Sequence, residues 1–402
     1  MSGLSYLEKL LDGVEVEWLL LGDVTRYEQP GKYLVESSNY SDDFNVPVLT
    51  AGKTFILGYT DETHGVYNAS QHPVIIFDDF TTANKWVDFN FKAKSSAMKM
   101  ITSSDERKTL LKYVYYWLNT LPGELTDGDH KRQWISNFSN KKIPVPPLAI
   151  QSEIVRILDT FTALTNELTN ELTNELKLRQ KQYNYYREQL LSFDDGSTKS
   201  AYLEKLLDGA EVEWKFLGDA SFFEIANNGR KPVKSSLRVA GKTPYYGANN
   251  IQDYVDGYTH DGEYVLIAED GSTSLECYSI QYTMGKFWAN NHVHVVRGKS
   301  GVSSRFLYHY LHIVNFIPFL TGGVRAKLTK GQLVEIPVPI PCPDNPEKSL
   351  AIQSEIVRIL DKFDTLTSSI SEGLPREIAL RKKQYEHYRN LFFSFPKPVT
   401  DN

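Results

Sequence analysis

Two short basic segments carry side chains that suit hydrogen bonding to nucleic acid. They read GDHKRQWISNFSNKK (128–142) and GGVRAKLTKGQ (322–332), and each precedes an IPVP tetrapeptide. Counting back from IPVP places Arg132 and Arg325 at equivalent positions, 193 residues apart. A guanidinium group held after a glycine-containing turn suits bidentate contact to guanine or to phosphate. The two arginines are therefore candidate DNA contacts.

Other loop residues add polar groups of the same kind. Asn and Gln can read adenine edges, whereas Lys, Ser and Thr mostly hold the sugar-phosphate backbone. For any single residue the alternative interpretation is a solvated surface loop. The candidate DNA-binding residues are Thr81, Thr82, Asn84, Lys85, Lys131, Arg132, Gln133, Arg230, Lys231, Lys234, Asn290, Asn291, Arg325 and Lys327.

No segment carries a convincing catalytic or metal-binding pattern. The AGKT strings at 51–54 and 240–243 lack the earlier glycine that a phosphate-binding GxxxxGK[ST] loop requires. His292 and His294 alternate as strand residues facing one side, but no third zinc ligand is near in the sequence. We therefore expect no catalytic residue, no metal and no cofactor bound by this chain.

Repeated segments frame these loops. Residues 6–23 and 202–219 share 15 of 18 positions, and 148–161 (LAIQSEIVRILDTF) shares 13 of 14 with 350–363. We call these four the frame segments. Between them lie two dissimilar stretches, the first insert (24–147) and the second insert (220–349). One repeated scaffold with two different inserts suggests two variable readers.

The second pair of frame segments predicts long amphipathic helices. Apolar residues spaced three or four apart predict a helix from about 150 to 191, with three TNEL units at 165–176. So narrow a stripe needs a partner helix, and the copy from 350 onward is the obvious candidate. There Gly373 and Pro375 predict a break or kink. The spacer and partner-binding candidates are Ile154, Ile157, Leu164, Leu168, Leu172, Leu176, Tyr183, Ile356, Ile359 and Tyr385.

The inserts read as diverged copies of one mixed domain. Each follows a strand-like EVEW, contains β-rich runs such as HPVIIFDDF and EYVLIAED, and holds one segment predicted to be helical before its IPVP end. Pro47 and Pro244 are equivalent, and Gly58-Tyr59-Thr60 echoes Gly257-Tyr258-Thr259. The prolines of IPVP should end the domain and start the connector.

Composition sets broad limits. The chain has 402 residues, 41% of them hydrophobic, a net charge of −6 and two cysteines. These values predict two to three soluble domains with reduced thiols, and hence a cytoplasmic protein with no membrane span. The acidic balance argues mildly against a protein that grips DNA without partners.

The order EVEW, LGD, insert, IPVP, LAIQSEIVRILD and a Tyr-rich helix end (KQYNYYREQLLSF, KQYEHYRNLFFSF) resembles the specificity subunit of type I restriction-modification enzymes. The TNEL units resemble the tetrapeptide repeats of its IC-like branch. The resemblance covers essentially the whole chain and implies an α+β fold, with two target recognition domains and helical spacers pairing as an antiparallel, pseudo-twofold coiled coil. The implied domains are 1–147 and 199–349 for recognition, with spacers at 148–198 and 350–402.

The resemblance also implies partners and a function. The chain would be a non-catalytic subunit that reads a bipartite, asymmetric site in double-stranded DNA. Two modification (methyltransferase) subunits would bring S-adenosylmethionine, and restriction subunits would bring ATP and Mg²⁺ for translocation and cleavage. The alternatives are a self-contained DNA methyltransferase or nuclease, and a coiled-coil adaptor whose inserts bind proteins.

Overall fold

The computed structural model describes residues 7, 9–11, 13–50, 54–122, 132–193, 200–322, 326–369 and 371–396. Two of the candidate residues, Lys131 and Arg325, lie outside these ranges. The chain divides into two compact units, and each combines one insert with helical segments. Unit 1 contains Met1–Glu171 and Ile378–Asn402, and unit 2 contains Leu172–Glu377.

The first insert and its flanks form strands with short helices between them. The strands are β1 (Glu17–Leu20), β2 (Thr25–Glu28), β3 (Val46–Leu49), β4 (Ile56–Thr60), β5 (Val74–Asp78), β6 (Asn84–Val87), β7 (Lys92–Ala93), β8 (Met98–Ser103) and β9 (Lys142–Val145). The helices are α1 (Leu21–Val24), α2 (Leu111–Leu118) and α3 (Gln133–Ser136), with 3₁₀ turns at Pro30–Tyr33 and Phe138–Asn140. Both HPVIIFDDF and the helix predicted before IPVP are confirmed, as β5 and α2.

The first insert contains two sheets. One has four antiparallel strands in the order β2-β8-β5-β6, and the other has three in the order β4-β3-β7, with β3 and β7 parallel. Strand β5 is buried along its whole length, because α2 covers one face and the second sheet's core covers the other. Because both faces of β5 are buried, its sequence VIIF is apolar throughout and shows no alternation of polar and apolar residues.

One long helix, α4 (Leu148–Leu191), follows the first insert. It confirms the helix predicted from about 150 to 191 and contains all three TNEL units. The exposed positions of these units are occupied by Asn and Glu, whereas the threonines and the leucines, which recur every four residues, are half-buried. The amphipathic pattern therefore continues across the repeat.

The second insert repeats the topology of the first. Its strands are β10 (Val212–Phe216), β11 (Phe223–Ile225), β12 (Ala240–Tyr246), β13 (Ile251–Val255), β14 (His260–Ala268), β15 (Ile280–Ala289), β16 (Val293–Gly298) and β17 (Pro337–Pro341). Its helices are α5 (Ala201–Leu207), α6 (Ser304–Leu311) and α7 (Lys330–Leu333), with 3₁₀ turns at Asn227–Gly229, Ser235–Leu237 and Ile317–Phe319. Helix α6 is again the one predicted from the sequence.

The second insert has one sheet where the first has two. Its six strands run β11-β16-β14-β15-β12-β13, and the only parallel pair among them is β12 with β15. Strand β15 has 10 residues and pairs with both β14 and β12, so it connects the strands into one sheet. In the first insert two shorter strands take its place: β6 pairs with β5, and β7 pairs with β3. The inserts are thus copies of one α+β domain, as the sequence predicted, and they differ in the length of this strand.

The IPVP segments contribute the last strand of each insert. Ile143–Val145 lie in β9, which pairs antiparallel with β1, and Pro337–Pro339 lie in β17, which pairs antiparallel with β10. Each strand completes a two-stranded ribbon before the connector starts. Such ribbons tolerate proline because both strands are edges. The echo of Gly58-Tyr59-Thr60 in Gly257-Tyr258-Thr259 is out of register, since Tyr59 pairs with Pro47 but Tyr254 pairs with Pro244.

The second spacer is broken where glycine and proline predicted it. Helix α8 spans Pro346–Ser368 and helix α9 spans Gly373–Phe392. Gly373 has φ +75°, and a Cβ there would lie 2.5 Å from the carbonyl oxygen of Thr365. The backbone of the break is therefore one that only glycine adopts without strain. In the part of the chain that the structure describes, no helix has the length and apolar character needed to cross a membrane.

Candidate functional site

A glutamine of the frame fixes helix α4 to the first insert. Gln151 is fully buried, and its Oε1 accepts a hydrogen bond of 2.9 Å from the backbone N–H of Leu110. Its Nε2 donates to the carbonyls of Lys108 (2.8 Å) and Pro146 (2.7 Å). A buried amide with all these partners specifies one position of the helix against the insert.

An aspartate two turns later adds a second attachment. Asp159 Oδ1 accepts a hydrogen bond of 2.5 Å from the Tyr116 hydroxyl and lies 3.0 Å from the Lys112 Nζ. Lys112 and Tyr116 are one turn apart on α2, so both reach the same carboxylate. Burial and the hydrogen bond to Asp159 together raise the pKa of the Tyr116 phenol, so the hydroxyl remains a donor at neutral pH.

Unit 2 repeats both attachments with the equivalent frame residues. Gln353 is fully buried, accepts from the N–H of Ser303 (2.8 Å) and donates to the Gly301 carbonyl (2.8 Å). Asp361 accepts from Arg305 Nε and from His309 Nε2, each at 2.7 Å.

The correspondence follows the sequence offsets. Gln151 and Gln353 differ by 202, as do Asp159 and Asp361, whereas the insert partners Leu110 and Ser303 differ by 193. Within the inserts, Lys112 is replaced by Arg305 and Tyr116 by His309. A cation and a hydrogen-bond donor are thus kept at the frame aspartate although the inserts differ. We call these contacts the docking contacts.

The helical segments pair in the same way within each unit. In unit 1, Phe161 of α4 packs on Tyr388 of α9 (5.8 Å between ring centroids), and Thr162 Oγ1 lies 2.9 Å from the Tyr385 hydroxyl. In unit 2, Phe363 of α8 packs on Tyr186 of α4 at 5.4 Å. Adding 202 to Phe161 and Tyr186 gives Phe363 and Tyr388, so the two aromatic contacts are equivalent.

These contacts show the relative direction of the paired helical segments. In unit 1 the contact moves from Tyr388 to Tyr385 as α4 advances from Phe161 to Thr162, so the segments run antiparallel, as expected. In unit 2 Ile359 lines one cleft with Gln189, while Phe363 meets Tyr186, which is the same antiparallel order.

The spacer candidates differ in how deeply they are buried. Ile154 and Ile356 are fully buried in the cores beneath the inserts, where they support docking. Tyr183 stacks on Phe363 and its hydroxyl meets Nδ1 of His309 at 3.2 Å. Leu164 is 56% exposed and does not belong to a buried stripe. The half-buried candidates are Ile157, Leu168, Leu172, Leu176, Ile359 and Tyr385.

In the first insert, the candidates gather near the β5–β6 turn and α3. Asp78 holds this turn by accepting from the N–H groups of Phe80 (2.8 Å) and Thr81 (3.2 Å), and Thr82 is buried with φ +61°. The N–H of Gln133 donates to the Asp79 carbonyl at 2.8 Å, which brings α3 against the turn. Sequence reasoning did not foresee that these separate stretches meet.

These candidate side chains differ in whether they are free to contact a ligand. Asn84 accepts a hydrogen bond of 2.9 Å from Asn119, and Gln133 accepts one of 3.3 Å from Asn137. By contrast, Thr81, Lys85 and Arg132 are exposed. Exposed donors beside a fixed turn are suited to contact a ligand.

In the second insert, two candidates are engaged by one acidic residue. Glu269 accepts from Arg230 (2.6 Å) and Lys327 (3.0 Å), and Arg230 also donates to the Val293 carbonyl (2.9 Å). Burial opposes the charge of Glu269, but the hydrogen bonds from these two cations outweigh it and hold its pKa below the usual range. Arg230 is thus a bracing residue within the domain.

The two asparagine candidates of the second insert differ in their exposure to solvent. Asn290 is buried, and its Oδ1 accepts from the N–H of His292 at 2.8 Å, whereas Asn291 is exposed. Lys231 and Lys234 are also exposed. Exposed lysine and asparagine side chains remain the available ones in this insert.

The two histidines do not form a metal site. His292 pairs with Asp270 at 2.5 Å, while buried His294 accepts from Asn227 at 2.9 Å and donates to the Leu328 carbonyl at 2.7 Å. Burial lowers the pKa of His294, in agreement with a neutral ring. Among the described residues, no three His, Cys, Asp or Glu side chains are grouped to hold a metal ion.

The second AGKT string also has a structural place. Gly241–Thr243 lie within β12, not in a loop before a helix as a phosphate-binding loop would. The first string falls largely outside the described residues.

Sequence reasoning missed the docking contacts entirely. Their signal was present, because the glutamine and aspartate of LAIQSEIVRILD are polar residues kept identical in both copies of an apolar helix face. Only the fold shows that Gln151 and Asp159 meet the first insert.

Comparison with known proteins follows the same two-part division. The family model for the type I restriction modification DNA specificity domain matches residues 14–178 and again 211–380. The specificity subunit of the Escherichia coli type I restriction enzyme EcoR124I/EcoR124II is 50% identical over all of this chain and 99% of that protein. The Escherichia coli EcoprrI specificity subunit is 31% identical over 92% of this chain and 93% of its own length.

One relative matches half of the chain more strongly. A putative type I restriction enzyme specificity subunit of Haemophilus influenzae is 62% identical over 192 residues, which is 47% of this chain and 48% of that protein.

Two solved structures share the fold. The type I restriction-modification S subunit from M. genitalium superimposes with a TM-score of 0.54 at 18% identity, over 96% of this chain and 98% of that one. A chain from a study of complex assembly in the type I R-M system gives 0.55 at 16% identity, over 94% and 97%. The family match to both halves, together with the 50% identical relative, shows that this chain belongs to the type I restriction-modification DNA specificity family, as a specificity subunit.

Proposed function

We propose that this chain reads a bipartite, asymmetric site in double-stranded DNA, one half through each insert. As a specificity subunit it recognises DNA and leaves catalysis to other subunits of its complex. The observation that carries the proposal is the repetition of the docking contacts, Gln151 with Lys108 and Gln353 with Gly301, beneath inserts of different sequence. A constant attachment with a variable outer surface is what interchangeable readers require.

We assign residues 1–147 and 199–349 to the two target recognition domains. The helical segments 148–198 and 350–402 would be spacers that set the distance between the half-sites. We assign the chain to the IC-like branch, and the resemblance of its TNEL units to the tetrapeptide repeats of that branch supports this. The exposed candidates are the ones we assign to DNA: Thr81, Lys85, Arg132, Lys231, Lys234 and Asn291.

The partners follow from the family. Two modification subunits would hold S-adenosylmethionine and methylate an adenine in each half-site, and restriction subunits would hydrolyse ATP with Mg²⁺. A net charge of −6 leaves phosphate contacts for such partners to supply. Their binding would use the helical spacers and the frame.

An insert exchange tests the proposal. The first insert, 24–147, is replaced by that of another specificity subunit, and the chain is reconstituted with its modification subunits. Methylated adenines in plasmid DNA are then mapped. We expect only one half of the methylated sequence to change, and the reciprocal exchange of 220–349 should change only the other half. An unchanged sequence after either exchange would contradict the proposal.

A further inference from the structure

The segment that leads into β12 has an unusual surface. Leu237 is 70% exposed and Val239 is 68% exposed, so two branched apolar side chains point to water within three residues. Single exposed apolar residues are ordinary on protein surfaces, whereas adjacent ones form a patch of the kind that marks interaction sites.

The surroundings of this pair are basic. From Ile225 to Gln252 the sequence has five basic residues and no Asp or Glu, in a chain whose net charge is −6. Two of the five, Arg230 and Arg238, are paired with Glu269 and Asp253. The remaining three, Lys231, Lys234 and Lys242, are exposed and join none of the ion pairs found between described residues.

The side chains of Arg238, Tyr245 and Trp288 hold the backbone of this segment in place. The Arg238 guanidinium lies 4.1 Å from the ring centroid of Tyr245, and its Nε donates to the Val233 carbonyl at 3.1 Å. The Tyr245 hydroxyl accepts from the N–H of Val233 at 3.0 Å. Trp288 stacks on Tyr245 and donates from Nε1 to the Lys231 carbonyl at 2.7 Å.

The bracing has an energetic consequence. Arg238, Tyr245 and Trp288 hold the backbone at Lys231 and Val233 through hydrogen bonds. They line one open cleft together with Leu237 and Val239, so the two apolar side chains are exposed by a fixed backbone. A ligand that contacts them meets a preformed surface and loses less conformational entropy on binding.

The first insert lacks this surface. The ten residues before β3, the strand equivalent to β12, are ESSNYSDDFN (36–45), with three acidic and no basic residues. The ten before β12 are RKPVKSSLRV (230–239), with four basic and no acidic residues. A surface that served a partner common to both units would be present in both, so this one belongs to what distinguishes the second insert.

We propose that Leu237 and Val239 form an apolar ridge that enters a groove of the second DNA half-site and contacts base edges, with Lys234 and Lys242 on the flanking phosphates. Apolar side chains of DNA-binding proteins contact thymine methyl groups or wedge against base steps, while lysines hold phosphates. The inference rests on the proposed function, because it names the contacts by which one reader discriminates sequence.

The test uses the complex with its modification subunits and the half-sites obtained by mapping methylated adenines. Binding is measured to a duplex with both cognate half-sites and to one whose second half-site is scrambled. The double variant Leu237→Ala, Val239→Ala should lose about tenfold of the preference between the two duplexes, as expected for one base contact. The matched control Met284→Ala, at an apolar side chain 76% exposed on β15 of the same insert, should keep the preference.

The lysines should behave differently. Lys234→Gln with Lys242→Gln should weaken binding to both duplexes alike and reduce the salt dependence by roughly one ion per lysine.

Three results separate the possible failures. Undiminished preference in the Leu237→Ala, Val239→Ala variant overturns the ridge. Loss of co-elution with the modification subunits, with the preference retained, assigns the ridge to a protein interface and also overturns it. Absence of any preference in the unaltered complex instead rejects the proposed function itself.

Discussion

The side-chain amide of Gln353 donates a hydrogen bond of 2.8 Å to the backbone carbonyl of Gly301, across 52 positions of sequence. The same amide accepts from the Ser303 N–H, so one frame residue satisfies both sides of the loop that precedes α6. Gln151 does the same for the loop before α2. The scaffold thus recognises the backbone of each insert, which any insert sequence can supply.

Replacing this amide should destabilise unit 2. In Gln353→Leu the buried N–H of Ser303 loses its partner, while the Gly301 carbonyl keeps only the hydrogen bond of 3.1 Å from the Ser349 hydroxyl. We expect this to cost about 1–3 kcal/mol. We expect a lower midpoint in thermal unfolding. Gln180→Leu, at an exposed position of α4, is the control and should leave the midpoint within a degree or so of the parent. Equal midpoints for Gln353→Leu and the parent would show that the docking contact adds no stability.

The histidine of the docking contacts should make unit 2 sensitive to acid. Burial lowers the pKa of His309, although its hydrogen bond to Asp361 opposes this, so the ring is neutral in the folded state. Protonation therefore favours unfolding. Stability is fully present above the ordinary histidine pKa of about 6.5 and falls below it, by up to about 1.4 kcal/mol per pH unit.

Asp361 acts in the same direction at lower pH. Burial opposes its charge, but the hydrogen bonds from His309 and Arg305 outweigh this and hold its pKa below the usual value. Its contribution is lost only as the pH falls below about 3.9. Denaturant unfolding at pH 7.5 and pH 5 therefore excludes the contribution of Asp361. Because burial also lowers the pKa of His294 and of His312, a variant of His309 is needed to isolate this ring. We expect His309→Gln to show a smaller loss between these pH values than the parent, and an identical loss would contradict this assignment.

Deleting one TNEL unit should change half-site spacing without changing either half-site. Removal of Thr169–Leu172 takes four residues from α4, which shortens a helix by about 6 Å and alters its rotation by about 40°. Mapping of methylated adenines should give the same two half-sites with a spacer altered by fewer than two base pairs. The conservative triple substitution of Thr165, Thr169 and Thr173 by Ala keeps the helix length and should leave the spacing unchanged.

Arg132 should contribute to sequence preference. It is exposed at the start of α3, beside the turn that Asp78 and Asp79 hold. Arg132→Ala should weaken binding to cognate DNA by about 1–3 kcal/mol and to random DNA by less. The control Arg107→Ala removes another exposed arginine, one paired with Asp105. Equal losses on both DNAs would make Arg132 a phosphate contact without sequence preference.

Local sequence patterns were enough to predict the main helices, several strands and the order of the domains. The 3.6-residue period of 150–191 predicted α4, the apolar run VIIF predicted β5, and Gly373 predicted the break between α8 and α9. These properties are local, since periodicity and backbone preference act over a few residues. The repeated frame segments likewise identified the family without any coordinates.

The contacts between distant residues could not be predicted in this way, because they depend on the fold. Gln151 and Lys108, or Asp361 and His309, are distant in sequence, and no spacing rule joins them. The same applies to the basic residues, since Arg230 and Lys231 are neighbours in sequence but only Arg230 faces Glu269. Pairing depends on the fold that brings an acidic partner within a few ångströms, because charge interactions decay with distance and are screened by water.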